Sequence, residues 1–508
     1  MSEMLILPIV VPLLAGALLL VGAPRKLHWH RAISTGATVL MLIIAVRLLL
    51  HSGDGSVEAY LVGNWPAPFG IVLVLDRLAA LMLLLTAILA AGALAYGMLG
   101  TDRTAPGFHA LFMFQLLGLN GAFLTGDLFN LFVFFEILLL ASYGLLLHGG
   151  GAARTRAGLH YVVINLVGSS LFLIALGLIY GVTGTLNMAH LTERLATLDA
   201  SDVPLASAGA LLLLVVFGLK AAILPLHFWL PHAYGNASAP VAALFAIMTK
   251  VGVYAIVRVF ELVFGYGDGP LADVAGPWLL PAALLTLAVG TIGVVTSRDL
   301  RKMVGYLIIV SVGMLLVGIG LGTETGLTGA LYYLIHTTLV TSGLFLLADV
   351  IARGRPQGSR IVVGPRPPDS ALIGVLFLVG AIAIAGMPPL SGLIGKLLIL
   401  SAAQTSAWAV WIWGTILGSS LFVLVGLTRA GSSLFWQGDP VSSHSRGALH
   451  ILPAALLLSA SPLLVAFGGT VSGFAEATAL QALNGTAYVE AVLGLSPTVP
   501  GIPQVTLP

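Results

Sequence analysis

Apolar runs as long as a bilayer is thick recur along almost the whole sequence. A helix needs about 20 apolar residues to cross the hydrocarbon core. Fourteen stretches meet that need, numbered here as spans 1 to 14: 4–22, 32–51, 71–98, 108–125, 128–148, 159–181, 206–230, 239–265, 275–296, 302–321, 327–350, 371–400, 407–430 and 449–468. Only 8% of the 508 residues are charged, against roughly 25% in soluble domains. A soluble chain of this make-up would expose far too much apolar surface. A cytoplasmic enzyme, a nucleic-acid binder and a disordered scaffold are thereby excluded, and a net charge of +2 gives no basic field for DNA. The expected fold is an all-α polytopic membrane protein of about 14 transmembrane helices. No basic residue precedes the first run, Met4 to Gly22, so it reads as a retained helix rather than a cleaved signal peptide. The lack of cysteine excludes disulfides, thiolate zinc sites and cysteine-held iron–sulfur clusters within this chain.

The loops give an orientation. Arg25, Lys26 and Arg31 follow span 1, Arg103 follows span 3, and Arg154 and Arg156 follow span 5. Arg298, Arg301 and Lys302 follow span 9; Arg353, Arg355, Arg360 and Arg366 follow span 11; Arg429 and Arg446 follow span 13. The loops of the other parity hold only Arg194, with Asp54, Glu58, Glu193, Asp199, Asp202, Asp268, Asp273 and Glu324. By the positive-inside rule the first set is cytoplasmic, and both termini lie outside. Fifteen basic residues against one also support the span count, because one missed helix would scramble the alternation beyond it. A Pro/Arg-rich stretch at 353–368 is expected to be a flexible cytoplasmic connector. After residue 468, Phe474, Ala475, Ala479, Leu480 and Leu483 predict a short amphipathic helix. A tail with Pro497, Pro500, Pro503 and Pro508 is expected to be irregular and to dock on a neighbour.

Four charged residues fall at membrane depth: Glu136 in span 5, Lys220 in span 7, Lys250 in span 8 and Lys396 in span 12. A charge at mid-bilayer costs several kcal/mol and is usually met by a partner or a wet cavity. The chain has five lysines against seventeen arginines, and three of the five are in this set. Lysine suits proton exchange because a buried amine can lose its proton, whereas a guanidinium stays charged. A structural ion pair would account for one such residue. Three positive groups and one negative cannot neutralise one another, so an ion pathway is the better reading. His336, in the middle of span 11, is either a relay or a hydrogen-bonded interface residue. His227 and His232 flank the end of span 7 as boundary groups. Asp127 fits a helix N-cap, and Asp349 fits an i,i+4 pair with Arg353. Arg258 and Glu261 call for the same local explanation.

Two spans are broken. Lys220 is followed by Pro225 and Pro231; Lys396 is preceded by Pro388 and Pro389, among Gly386, Gly392 and Gly395. Proline within a span frees a backbone carbonyl, which is tolerated beside a cavity or another helix. The breaks fall in spans 7 and 12, and an offset of five reverses topology. That predicts two inverted five-helix units, spans 4–8 and 9–13, as in transporters. The expected division is 1–107, N-terminal helices; 108–265, first unit; 275–430, second unit; 431–508, helix 14 and tail.

The stretches NGAFLTGDLFNLFVFFEILLLASYGLLL (120–147), GLKAAILPLHFWLP (218–231) and ALFAIMTKVGVYAIVRVF (243–260) resemble the D subunit of Mrp-type multisubunit monovalent cation/proton antiporters. AGMPPLSGLIGKLLIL (385–400) belongs to the wider group, which includes antiporter-like subunits of respiratory complex I and of membrane-bound hydrogenases. The resemblance implies that Glu136 pairs with Lys220, that Lys250 is the central carrier and that Lys396 lies near the exit. His336 falls on a helix that joins the two halves. It also implies a multi-pass protein of the bacterial plasma membrane. Partners would be other membrane subunits, protons and a monovalent cation, Na⁺ foremost, with no cofactor. The sodium site would lie outside this chain's mostly cationic deep set. The alternative is a redox-driven proton-pumping subunit of a complex I or hydrogenase assembly, and a structural scaffold is the third reading. No nucleotide loop, nucleophile with a paired base, or metal cluster points to independent catalysis.

Overall fold

The computed structural model describes residues 2–21, 27–66, 69–267, 269–438 and 448–494. Arg25, Lys26, Asp268, Arg446 and the tail prolines lie outside these residues. The chain begins with α1 (Leu7–Val21) and α2 (Leu27–Ser52), then β1 (Glu58–Leu61) and β2 (Val72–Leu75). Next come α3 (Arg77–Gly97), α4 (Phe108–Leu124), α5 (Leu128–Leu147), α6 (Ala152–Thr183) and α7 (Met188–Ala196). Span 7 is α8 (Val203–Ala221) plus α9 (Trp229–Asn236); span 8 is α10 (Ala239–Phe245), α11 (Met248–Ile256) and a π-helical turn, Val257–Phe264. The second half holds α12 (Gly276–Thr296), α13 (Leu300–Gly320), α14 (Glu324–Arg353), α15 (Ser370–Ala385), α16 (Ser391–Ala402) and α17 (Ala409–Gly431). The chain then runs through α18 (Leu452–Leu458), α19 (Ala460–Ala466), α20 (Gly468–Asn484) and α21 (Thr486–Leu493).

Among the described residues eleven helices are long and apolar enough to cross a membrane, or twelve if the bent α18–α20 stretch counts as one. Alpha4 and α15 are shorter apolar helices. Span 8 is the innermost element, its apolar window wholly enclosed by the rest of the bundle, whereas α1, α6 and α17 leave much of theirs exposed. The outward faces carry large apolar side chains such as Leu166, Ile174, Trp411 and Phe422. That inside-out distribution is what a hydrocarbon solvent or a membrane partner permits.

Three expectations are corrected. The fold is not purely helical: span 3 does not begin at 71, because Val72–Leu75 pairs antiparallel with Glu58–Leu61. Asp76 then starts α3 by accepting the Ala79 N–H at 2.8 Å, so capping chemistry, not hydropathy, sets that boundary. The 353–368 stretch is not a loose connector. Arg355 is buried and donates to the backbone carbonyls of Arg360, Val362 and Pro365 at 3.0, 2.6 and 3.1 Å, folding the loop around its guanidinium. Beyond residue 468 the helix is longer than predicted and turns by 86° from the segment before it. It buries Ala475, Thr478, Ala479 and Ala482 and leaves Leu480 exposed. Small residues let it lie close against α14.

The α3–α4, α5–α6, α9–α10, α12–α13 and α14–α15 connections meet at one end of the bundle, where they line a common cavity. At that end the short Thr101–Arg103 turn holds buried Asp102, which accepts from Arg31 Nε at 2.6 Å and from His109 Nε2 at 3.3 Å. Burial is the largest single influence and opposes the charge on Asp102, but the Arg31 guanidinium and the His109 ring together outweigh it and hold the carboxyl below the ordinary carboxylate range. A depressed folded pKa stabilises at neutral pH and is lost as pH falls through that value. Asp102→Asn should therefore lower the thermal midpoint at pH 7. The gap to the native chain should close as the pH is taken below about 4. A gap independent of pH would show that the charge is not the cause.

Candidate functional site

The two breaks are built from backbone chemistry. Alpha8 ends at Ala221, and Ala222 takes a left-handed conformation at φ 63°, unusual for a residue with a side chain. The Leu219 carbonyl, which takes the Ala222 N–H at 3.2 Å, also accepts from Trp229 Nε1 at 3.2 Å, and the Leu224 N–H donates to Thr286 Oγ1 at 2.9 Å. Alpha15 ends at Ala385, with Gly386 at φ 77°. There the freed carbonyls of Ala385 and Ile384 accept from Lys396 Nζ at 2.7 and 3.5 Å. Ser420 Oγ, 2.8 Å from the same amine, completes its shell. A Cβ at residue 386 would lie 2.5 Å from the Lys396 side chain, so this turn needs glycine for both its φ and its space.

Lys220 sits one residue before the first break, 8% exposed, and donates to Asn165 Oδ1 at 3.2 Å. Glu136 is half-buried on α5 and accepts from the Ser169 hydroxyl. Asn165 and Ser169 are one turn apart on α6, which packs against both α5 and α8. The direct Glu136–Lys220 ion pair is therefore replaced by two side-by-side contacts to neutral residues of one helix. Among the described residues none of Lys220, Lys250 and Lys396 has a carboxylate at ion-pair distance. Aromatic edges of Phe135, Phe172 and Phe217, with centroids 5.5 to 6.3 Å apart, close the space between α5, α6 and α8.

Lys250 is fully buried on α11, and its amine donates to Ser311 Oγ of α13 at 3.1 Å. A cavity of about 10 Å³ between α8 and α11 is lined by Asn165, Lys220, Trp229 and Met248, room for about one water. His336 is fully buried on α14. Its Nδ1 shares a hydrogen bond with Ser391 Oγ at 2.7 Å, and Ser391 continues to Ser461 at 2.8 Å. The opposite side of the ring turns its Nε2 toward the Ala383 carbonyl, and among the described residues the buried hydroxyls of Thr249, Tyr333 and Thr337 have no partner. A Cβ at Gly392 would stand 2.9 Å from that nitrogen and 1.9 Å from the Ala383 carbonyl, so only glycine lets α16 approach here.

The selected residues lie on helices in continuous contact, α5, α6, α8, α11, α13, α14 and α16 in turn. Sequence reasoning passed over Asn165, Ser169, Ser311 and Ser420, which hold the charged side chains, and Ser391, which holds the His336 ring. The signal was present: a polar residue in an apolar span has to find a partner, and Asn165 and Ser169 share the i,i+4 spacing of one helix face. Asp127 is the N-cap of α5, accepting the Asn130 N–H at 2.7 Å. Asp349 does pair with Arg353, at 2.6 Å, and also accepts from Tyr96 at 2.8 Å. Arg258 does not pair with Glu261. It makes a two-point contact with Asp76, 182 positions earlier. His232 is exposed and His227 half-buried, outside the row.

A helical bundle with two broken spans and three enclosed amines defines a transporter-like membrane protein. Residues 125–423 match the profile of the family described as NADH:quinone oxidoreductase/Mrp antiporter, transmembrane. The D subunit of a probable K(+)/H(+) antiporter from Rhizobium meliloti (strain 1021) is 42% identical over 527 residues, covering 97% of this chain and 98% of that protein. The D subunit of the Na(+)/H(+) antiporter from Bacillus subtilis (strain 168) is 38% identical, covering 97% and 100%. A chain of the solved Mrp complex from Dietzia sp. DQ12-45-1b superposes with a TM-score of 0.88 at 28% identity, covering 97% and 100%. The chain belongs to the NADH:quinone oxidoreductase/Mrp antiporter family, and its curated relatives are antiporter D subunits.

Proposed function

We propose that this chain is the proton-translocating subunit of a multisubunit monovalent cation/proton antiporter in the bacterial plasma membrane, with Na⁺ the exchanged cation. Protons move along Glu136 and Lys220, Lys250, His336 and Lys396. The observation that carries this reading is the coordination of the three amines. Each is enclosed, and each is held by neutral oxygen atoms instead of a carboxylate. A carboxylate would fix the charged form; hydroxyl, amide and carbonyl oxygens leave the proton free to leave. The unpartnered hydroxyls of Thr249, Tyr333 and Thr337 are the places between these groups where water belongs. Sodium needs several oxygen ligands, and the row offers one carboxylate, so the cation step lies with partner subunits. The exposed apolar faces supply area for them.

In this reading Ser169 and Asn165 of α6 position the pair. A shift of α6 that released Glu136 would withdraw negative charge from Lys220, and its proton would pass inward to Lys250. Ser169→Ala removes one hydrogen bond to a charged group, about 1.5–3 kcal/mol, and should slow exchange by roughly tenfold or more. Ser169→Thr, which restores the hydroxyl, should recover it. The fourteen-span count, the two inverted five-helix units, the four-part division and the outward termini belong to the same proposal. The meeting of five odd-to-even connections at one end supports them.

The test is cation/proton exchange in everted vesicles carrying the complete co-expressed complex, with Na⁺ and K⁺ added separately. The relatives' names divide between these two ions. A sodium response that disappears in an assembled Lys250→Ala complex supports the reading. A well-assembled native complex with no cation response favours the redox-driven pump that the family description also covers. A co-purifying flavin or iron–sulfur partner would then be sought. Unaltered transport after neutralising the deep set would leave the structural scaffold.

A further inference from the structure

The cavity where the five connections meet has a volume of about 1290 Å³. Six cationic side chains line it, Arg154, Arg298, Arg301, Lys302, Arg353 and Arg360, against only Asp299 and Asp349. Both acids are already engaged. Asp349 takes Arg353 at 2.6 Å and Arg301 at 3.7 Å, and Asp299 accepts the N–H groups of Arg301 and Lys302 and the Ser359 hydroxyl. Among the described residues Arg298, Lys302 and Arg360 have no carboxylate at ion-pair distance, and Arg301 Nε is buried without a partner. One wall is the glycine run 149–151, with φ of 84°, 65° and 109°. It leads into the 32-residue α6, whose first turn lacks a side-chain cap.

We infer that this cavity binds a phosphate-bearing anion. Four positive charges in excess would repel a proton or Na⁺ at this mouth, so it is a poor inlet for the transported ions. The same excess, with guanidinium forks and open helix N–H groups beside it, is what phosphate oxygens require. The volume is large enough for more than one phosphate group. A basic pocket among the ends of membrane helices suits an anionic phospholipid headgroup; a soluble pyrophosphate offers the same chemistry.

Phenylglyoxal labelling of Arg298 and Arg360, mapped by peptide mass spectrometry on the complete complex in phosphatidylcholine nanodiscs, separates the cases. Dioleoylphosphatidylglycerol added to the disc, or inorganic pyrophosphate added to the buffer, is the probe. Arg194 is the control. Protection by the lipid alone assigns a headgroup site, and protection by pyrophosphate alone assigns a soluble ligand. No protection by either overturns the inference. So does a cavity unreactive from the start because a partner subunit fills it. The triple variant Arg298→Gln/Lys302→Gln/Arg360→Gln should weaken the protecting probe by about tenfold or more, read at Arg154. Undiminished affinity in that variant would overturn the assignment as well, whereas Arg298→Lys/Arg360→Lys should keep most of it.

Discussion

Glu136→Ala and Lys220→Ala are each expected to abolish cation/proton exchange while the complex still assembles. Both side chains are held by α6 through neutral residues, so removing either leaves no opposite charge stranded beside it at ion-pair distance. The stability cost is then that of one lost hydrogen bond to a charged group, about 1.5–3 kcal/mol. The transport cost is different in kind, because a row of carriers conducts only if every member can accept a proton. Glu136→Gln keeps the shape and the Ser169 contact and should be as inactive as alanine. Measurement is by everted-vesicle dequenching with assembly followed on native gels. Normal exchange in an assembled Glu136→Gln complex would remove Glu136 from the path.

Asp76→Ala should show the opposite pattern, a loss of folded protein rather than of transport alone. Arg258 meets Asp76 at 2.5 and 2.8 Å, fully buried, and its guanidinium lies 5.2 Å from the Tyr254 and Tyr488 rings. Truncating one partner of such a pair leaves a buried charge uncompensated and costs about 3–5 kcal/mol. The lost cap of α3 adds about 1 kcal/mol. The tyrosines tie the site to α11 and to α21, so the C-terminal helix should detach first, read by proteolysis near residue 485. Asp76→Asn with Arg258→Met removes both charges and should restore much of the yield. A single Asp76→Ala chain that folds and resists protease like the native one would show that the pair contributes little.

The membrane class, the positions of the long spans and both breaks were legible because they rest on one-dimensional quantities. Hydrocarbon thickness fixes run length, and proline removes an N–H wherever it stands. The four deep charges were legible for the same reason, since charge in an apolar run is costly whatever it touches. The β1–β2 hairpin was not, because four apolar residues read alike as strand or helix end. Nor was the Asp76–Arg258 pair, whose partners are 182 positions apart. The pairing of Glu136 with Lys220 was implied by the resemblance; the bundle instead gives each a neutral partner on α6.

The sequence by itself determined which residues must leave water and which could not do so cheaply. That is a property of each side chain and its neighbours in the chain, set by transfer free energy. Only the tertiary structure decided which oxygen meets which amine. Hydrogen bonds act over about 3 Å, and helices far apart in the chain reach that distance only after the bundle has packed.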